Sequence, residues 1–169
     1  MRFVDFLKAT VMLSGGGATA LAILTVVSGA NDDDDKVVLY MAAWWVVATL
    51  VGSFIGRRKE PSPQIAELLA NSTTATMMPE ISPASVLLNR LWPLLVAVLI
   101  SAGLSFLAPQ IPGIATGFAI IWALAWRHQD KAVVAIEERD GLVFFVRKTA
   151  FYKPMSLERM PGLRREIPT

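Results

Sequence analysis

The chain has 169 residues, of which 54% are hydrophobic and only 18% are charged, whereas an average soluble domain is about 25% charged. It contains no cysteine and one histidine, His128, which rules out disulfides, thiolate metal sites, thiol nucleophiles and histidine clusters within it. The length suits one domain with a small appendage.

The first uncharged run covers residues 9–30 and follows Arg2, Asp5 and Lys8. Its 22 residues exceed the apolar core of a signal peptide, about 7–15 residues, so we expect a retained membrane-spanning helix, with cleavage near residue 30 as the alternative. Gly15, Gly16 and Gly17 form part of a small-residue stretch within this run. Small residues let helices approach closely in lipid, so we expect these glycines at a helix–helix contact.

Residues 37–56 form a second uncharged run that ends at Arg57 and Arg58. We expect a second span here. The four aspartates at 32–35 lack the alternation and the glycine of a calcium loop, so we predict a solvated connection without metal. Trp44 and Trp45 lie two turns inside the span, where their indole N–H groups need partners within a helix bundle.

A polar, proline-containing segment follows at residues 57–86. Ser62-Pro63 resembles an N-cap followed by a proline at the first helical position, which predicts a short helix at the cytoplasmic membrane surface. Ser82-Pro83 repeats the signal, so a third helix is expected to start there and to cross the membrane over about residues 87–108. Pro93 is expected to kink this helix.

Residues 91–126 are the longest stretch without a charge. A proline-containing break at residues 109–112 divides the stretch, which predicts a helical hairpin with a fourth, short span at residues 112–126. Gly113 and Gly117 form a Gly-x-x-x-Gly pair at the start of this helix and mark a close helix crossing, either within the chain or between copies.

The basic residues fix an expected orientation. Of the 16 lysines and arginines, all except Lys36 lie in residues 1–8, 57–90 or 127–169, which a four-span arrangement of two helical hairpins places on one side. By the positive-inside rule this side is cytoplasmic, so both termini are expected inside (N-in/C-in) at the plasma (inner) membrane. A nucleic-acid partner is not expected, because these residues are spread over membrane-flanking segments.

The tail, residues 127–169, is expected to form a cytoplasmic appendage. Two runs rich in Val, Ile and Phe flank Asp140-Gly141, which favours a small β-hairpin over about residues 132–149; a helix that prolongs the fourth span is the competing interpretation of the first arm. Aromatic and basic side chains alternate after it, which suits an anionic membrane surface or a partner. The residues that we expect to make this contact are Arg147, Lys148, Phe151 and Lys153.

The sequence offers no constellation for catalysis or transport. The uncharged runs inside the expected spans, residues 9–30, 37–56, 91–108 and 112–126, contain no Asp, Glu, Lys, Arg or His, and proton relays and ion-coupled transporters need such groups in the bilayer. We therefore expect an all-α membrane protein with a transmembrane domain at residues 1–126, no cofactor and no enzymatic activity. The leading hypothesis is a scaffold or accessory subunit that acts through helix–helix, lipid or membrane-protein contacts. The alternative is a small transporter or channel-type subunit that works as a homo-oligomer.

Overall fold

The computed structural model describes residues 1–31, 35–58, 60–75, 82–108, 110–147, 149 and 153–162. These residues are mostly helical, as the sequence predicts. The helices are α1 (Phe3–Asn31), α2 (Asp35–Ile55), α3 (Pro63–Ala70), α4 (Pro83–Gly103), α5 (Gln110–Trp126) and α6 (Gln129–Asp140), with a 3₁₀ turn at Leu104–Phe106. The strands are β1 (Thr73–Thr74), β2 (Leu142–Val146) and β3 (Leu157–Pro161).

Within the described part of the chain, three helical segments are long and apolar enough to cross a membrane: Phe3–Ala30, Lys36–Ile55 and Pro83–Phe106. Helix α5 is equally apolar, but its 17 residues extend about 25 Å, which is short of the roughly 30 Å of a bilayer core. The fourth span therefore stays a prediction.

The chain divides into two compact units. Unit 1 comprises Met1–Lys8, Arg58–Arg90 and His128–Thr169, and unit 2 comprises Ala9–Arg57 and Leu91–Arg127. The segments of each unit are interleaved in sequence, so helices α1 and α4 contribute residues to both.

Unit 2 is organised around the pair α2 and α5. A methyl group added at Gly113 would lie 2.6 Å from the side chain of Met41, and one added at Gly52 would lie 3.0 Å from the Cα of Ile121. Residue numbers rise together along both helices, so α2 and α5 run parallel. The contacts continue to Gly56, where an added methyl would overlap the carbonyl of Leu124.

Unit 1 contains a three-stranded sheet of order β1-β3-β2, in which β3 is parallel to β1 and antiparallel to β2. Arg2 adds an isolated antiparallel bridge to Phe145 on the other side of β2. Two residues of the central strand, Leu157 and Met160, are buried. The core of the unit is completed by apolar side chains from the start of α1, from α3, from α6 and from β2: Phe3, Leu7, Ile65, Leu69, Val133, Phe144 and Val146.

The predicted β-hairpin over residues 132–149 is wrong. Its first arm lies within helix α6, and Gly141 is the C-cap of that helix, with φ 63° and its N–H donating to the carbonyl of Glu137. A glycine in the left-handed region ends a helix as readily as it makes a type I′ turn. Strand β2 instead pairs with β3, from Leu142 opposite Pro161 to Val146 opposite Leu157.

Candidate functional site

The most polar buried position in unit 1 is Glu137 on α6. Its side chain is 5% exposed, and its Oε2 accepts a hydrogen bond from Arg2 Nη2 at 2.7 Å. Its Oε1 accepts from the backbone N–H of Phe144 at 2.9 Å. One carboxylate therefore joins the start of the chain, helix α6 and strand β2.

The same edge of β2 receives a second contact from the start of the chain. The N–H of Val146 donates to the carbonyl of Met1 at 3.1 Å, so residues 1 and 2 continue the sheet beyond β2. Because an unpaired buried backbone group costs about as much as a lost hydrogen bond, this pairing and the Arg2–Glu137 ion pair hold the segment in one register.

A second cluster holds the connection between β2 and β3. Asn89 Nδ2 donates to the carbonyl of Thr149 at 2.9 Å. Arg90 Nη1 donates to the carbonyl of Lys153 at 2.7 Å, and its Nη2 contacts the hydroxyl of Thr149 and the carbonyl of Pro154. We call Asn89 and Arg90 the clamp, because together they hold both ends of the connection to α4.

A third polar contact links α6 with the start of α3. Gln129 is buried, and its Oε1 accepts from the N–H of Ser62 at 2.8 Å. Ser62 occupies the expected cap position ahead of Pro63, but its hydroxyl makes no capping bond. The glutamine contact orients the first turn of α3 instead.

The structure places the four residues expected at a lipid or partner surface as follows. Arg147 is 55% exposed and lies 3.5 Å from Glu158 across β2 and β3. Lys153 is exposed, and its carbonyl is held by the clamp. Lys148 and Phe151 lie outside the described residues.

The glycines expected at helix contacts fall into two groups. Gly113 and Gly117 are buried, and a methyl added at Gly117 would overlap the indole of Trp44. Around Gly15 and Gly16, by contrast, an added methyl meets no atom within 4 Å among the described residues. A methyl at Gly17 would lie 3.1 Å from Val98 Cγ2 on α4.

The two tryptophans of α2 find their hydrogen-bond partners on α5. Trp45 Nε1 donates to the carbonyl of Gly113 at 2.8 Å, and Trp44 Nε1 donates to that of Ile114 at 3.3 Å. The Trp44 ring also meets Phe118 edge-on, with the ring centroids 5.7 Å apart. The need for partners could be predicted from the sequence, but the identity of the carbonyls could not.

The chemistry of the described residues concerns metal-binding groups and carboxyl groups with a shifted pKa. Across the described part of the chain, no three His, Asp or Glu side chains lie close enough to hold a metal ion. At the end of α6, Arg139 hydrogen-bonds Asp140 at 2.8 Å and holds the pKa of this carboxyl below its ordinary value. Both side chains are exposed, so this pair stabilises little.

Unit 1 also has an open groove of about 490 Å³ beside α3. Gln64, Glu67 and Asn71 line one wall of the groove, and residues 154–157 line the other. The clamp holds Pro154, so it also sets the position of the second wall.

No protein-family model, curated protein or solved structure matches the chain.

Sequence reasoning missed Arg2, Asn89, Arg90, Gln129 and Glu137 as organising residues. Apart from the contact of Glu137 with Phe144, the partners named above are 59 to 135 positions away in the chain, and a single sequence carries no signal for such pairings.

Proposed function

We propose that the chain is a multi-pass membrane protein that serves as a non-enzymatic scaffold or accessory subunit, with unit 1 as its docking module. One observation carries this proposal: the organising polar side chains of unit 1 hold chain segments together. Glu137 is fully engaged by Arg2 and Phe144, and the clamp is engaged by the β2–β3 connection. Such a network gives a fixed surface, whereas catalysis needs a poised, accessible group.

The surface offered to a partner is the clamped connection. Arg147 and Lys153 are exposed at its two ends, and the groove beside α3 adjoins Pro154. Because basic side chains attract acidic surfaces and each adds roughly 1 kcal/mol near an anionic membrane, we propose an acidic partner face or anionic lipid as the contact.

We also propose that α5 is a fourth span. Its support is the parallel packing of α5 along α2, from Gly113 beside Met41 to Leu124 beside Gly56. A helix that packs along most of a candidate span lies at the same depth in the bilayer. A short apolar helix can still cross when the bilayer thins locally or when a flanking arginine such as Arg127 snorkels to the headgroups.

The orientation follows from this arrangement and from the charges. With four spans, residues 1–8, 57–90 and 127–169 lie on one side together with 15 of the 16 basic residues. We propose that this side is the cytoplasm and that the membrane is the plasma (inner) membrane.

The experiment is affinity purification of the tagged full chain at native abundance in mild detergent, followed by native mass spectrometry. The test variant combines Arg147→Glu and Lys153→Glu, which reverses the proposed surface without altering the clamp side chains. The matched control is Lys131→Glu on the exposed side of α6. We expect a stable heteromer whose yield falls at least fivefold in the test variant and is unchanged in the control.

A homo-oligomer without a partner would overturn this proposal and would favour a transporter or channel-type subunit. That alternative requires a polar lumen. The groove found among the described residues of unit 2 is lined by apolar side chains and one serine, so no observation favours the alternative.

A further inference from the structure

Unit 2 contains an apolar groove of about 260 Å³ between α1, α4 and α5. Small side chains leave the space: four of the nine lining residues are alanine or serine. The lining includes Leu21 of α1, Ala97 and Ser101 of α4, and Ala115, Ala119 and Trp122 of α5.

The groove has the size of part of one hydrocarbon chain. From Ala115 to Trp122 it follows two turns of α5, a rise of about 10 Å at 1.5 Å per residue. Pockets for whole small molecules are roughly 300–1,000 Å³, so this groove is too small for an entire lipid. Its lining offers one hydroxyl, that of Ser101, which suits a chain that needs no hydrogen bonds.

One end of the groove carries aromatic rings and positive charge. Trp122 stacks on Trp126, with centroids 5.7 Å apart and an interplanar angle of 11°, and Arg127 follows directly. Arg57 lies near the same end of α5, on the side that faces α2, because the preceding residue, Gly56, packs against Leu124. Both arginines are exposed.

We propose that this groove is a site for an anionic phospholipid. One acyl chain occupies the space beside Ala97 and Ala119, and the phosphate lies at Arg127, with Arg57 nearby. Tryptophan and arginine favour the headgroup level of a bilayer, and a guanidinium binds phosphate oxygens in a bidentate manner. The inference rests on the membrane placement proposed above, and it names the class of lipid that the transmembrane helices select.

Charge complementarity decides between lipid and a second copy of the chain as the occupant. A second copy would have to supply an apolar knob together with a group that satisfies two arginines at one end. An anionic phospholipid carries an apolar chain and a phosphate in one molecule, in the order that the groove and its rim require.

The test is native mass spectrometry of the full chain after exchange into nanodiscs that contain equal amounts of phosphatidylglycerol and phosphatidylcholine. Ala97→Trp fills the groove from its rim. Ala43→Trp places the same ring on an exposed position of α2 and serves as the matched control. We expect the wild type and Ala43→Trp to retain one phosphatidylglycerol per chain and Ala97→Trp to lose at least nine-tenths of it.

A second pair of variants tests the headgroup contact without disturbing the groove. Arg127→Gln should lower the preference for phosphatidylglycerol over phosphatidylcholine by about fivefold, which corresponds to about 1 kcal/mol for one cation near the surface. Arg127→Lys should retain most of the preference.

Equal lipid retention by Ala97→Trp and Ala43→Trp would overturn the groove site. An unchanged preference in Arg127→Gln would overturn the headgroup assignment. If the wild type instead appears as a dimer without bound lipid, and this dimer is absent in Ala97→Trp, a second copy fills the groove and the lipid assignment is wrong. The heteromer yield of the same variants tests the scaffold proposal independently. Loss of the lipid in Ala97→Trp with an unchanged heteromer yield would support both proposals.

Discussion

The two units of this chain are held together in different ways. In unit 1, charged and amide side chains join segments that are far apart in sequence, as with Arg2 and Glu137 or the clamp on the β2–β3 connection. In unit 2, glycines allow α2 and α5 to approach until side chains meet backbone, and the indole N–H groups of Trp44 and Trp45 donate to carbonyls of α5. The ion pairs that Arg2, Arg139 and Arg147 make all lie in unit 1.

With unit 2 in the membrane, as proposed above, the cost of polar groups in lipid explains this difference. An ionised side chain at the centre of a bilayer costs several kcal/mol, and apolar side chains gain little by leaving lipid for one another. Helices in unit 2 are therefore left with close packing and uncharged hydrogen bonds. Unit 1 can use an ion pair, because the Arg2 side chain stays 47% exposed while Glu137 is buried.

The largest expected effect is at the α2–α5 contact. Gly117→Leu drives a side chain into the indole of Trp44, and overpacking of this kind costs about 3 kcal/mol or more. Gly16→Leu, where nothing lies within 4 Å, is expected to change stability by less than about 0.5 kcal/mol. Reversible unfolding in mixed micelles, followed by tryptophan fluorescence, measures both. Equal losses of stability in the two variants would show that the α2–α5 contact is no more tightly packed than the open face at Gly16.

Gly16→Leu also addresses the predicted role of Gly15 and Gly16. If a second copy packs on this open face of α1, the variant keeps its stability as a monomer but loses the oligomer. Size-exclusion chromatography with light scattering distinguishes this outcome from simple exposure to lipid.

The next effect is at Glu137. In Glu137→Ala the buried N–H of Phe144 loses its acceptor, at a cost of about 2 kcal/mol, while the half-exposed Arg2 is rehydrated. Hydrogen exchange at the amides of Phe144 and Val146 should accelerate by about 30-fold, because a factor of 30 corresponds to about 2 kcal/mol. Glu137→Gln keeps an acceptor and should recover about half of the loss. Exchange that is unchanged in Glu137→Ala would contradict the assigned role of the carboxylate.

A smaller effect is expected at the cap of α6. Gly141 has φ 63°, a conformation that costs an L-residue with a Cβ about 1 kcal/mol. Gly141→Ala should therefore destabilise unit 1 by about this amount, and Gly141→Asn by less, since asparagine tolerates the left-handed region. Chemical denaturation of the two variants provides the comparison, and equal stabilities for alanine and asparagine would argue against the cap.

The smallest effect is the pH dependence of the Arg139–Asp140 pair. The hydrogen bond from Arg139 lowers the pKa of Asp140 in the folded chain, so its stabilisation is present above the unfolded pKa of about 3.9 and disappears as the pH falls through the folded value. Arg139→Gln should raise the pKa of Asp140 in an NMR titration. An unaltered titration would show that the pair does not form in solution.

The sequence predicted the elements whose signals are local. Uncharged runs of about 20 residues indicated three candidate spans, and Ser62-Pro63 and Ser82-Pro83 marked the starts of α3 and α4. Asp140-Gly141 was ambiguous, because the same dipeptide suits both a hairpin turn and a helix C-cap. The two possibilities differ in whether β2 pairs with the segment before the dipeptide or with a later one. That partner, β3, lies well down the chain.

The candidate site was harder to predict than the fold. Arg147 and Lys153 could be proposed from aromatic and basic alternation, but the clamp that positions their segment depends on Asn89 and Arg90, about 60 residues earlier. The role of Glu137 depends on a residue 135 positions away. Both sites arise from pairing between distant segments, so no window of sequence contains them.

The most direct test of the account is the sidedness of α5, because a fourth span puts unit 1 entirely on one side of the membrane. The chain has no cysteine, so Gln110→Cys, Glu60→Cys and Lys131→Cys each give a single thiol for a membrane-impermeant maleimide. In intact cells we predict labelling at position 110 only, with positions 60 and 131 labelled after permeabilisation. Labelling of position 131 in intact cells, or protection of position 110 alongside position 60, would contradict the four-span arrangement.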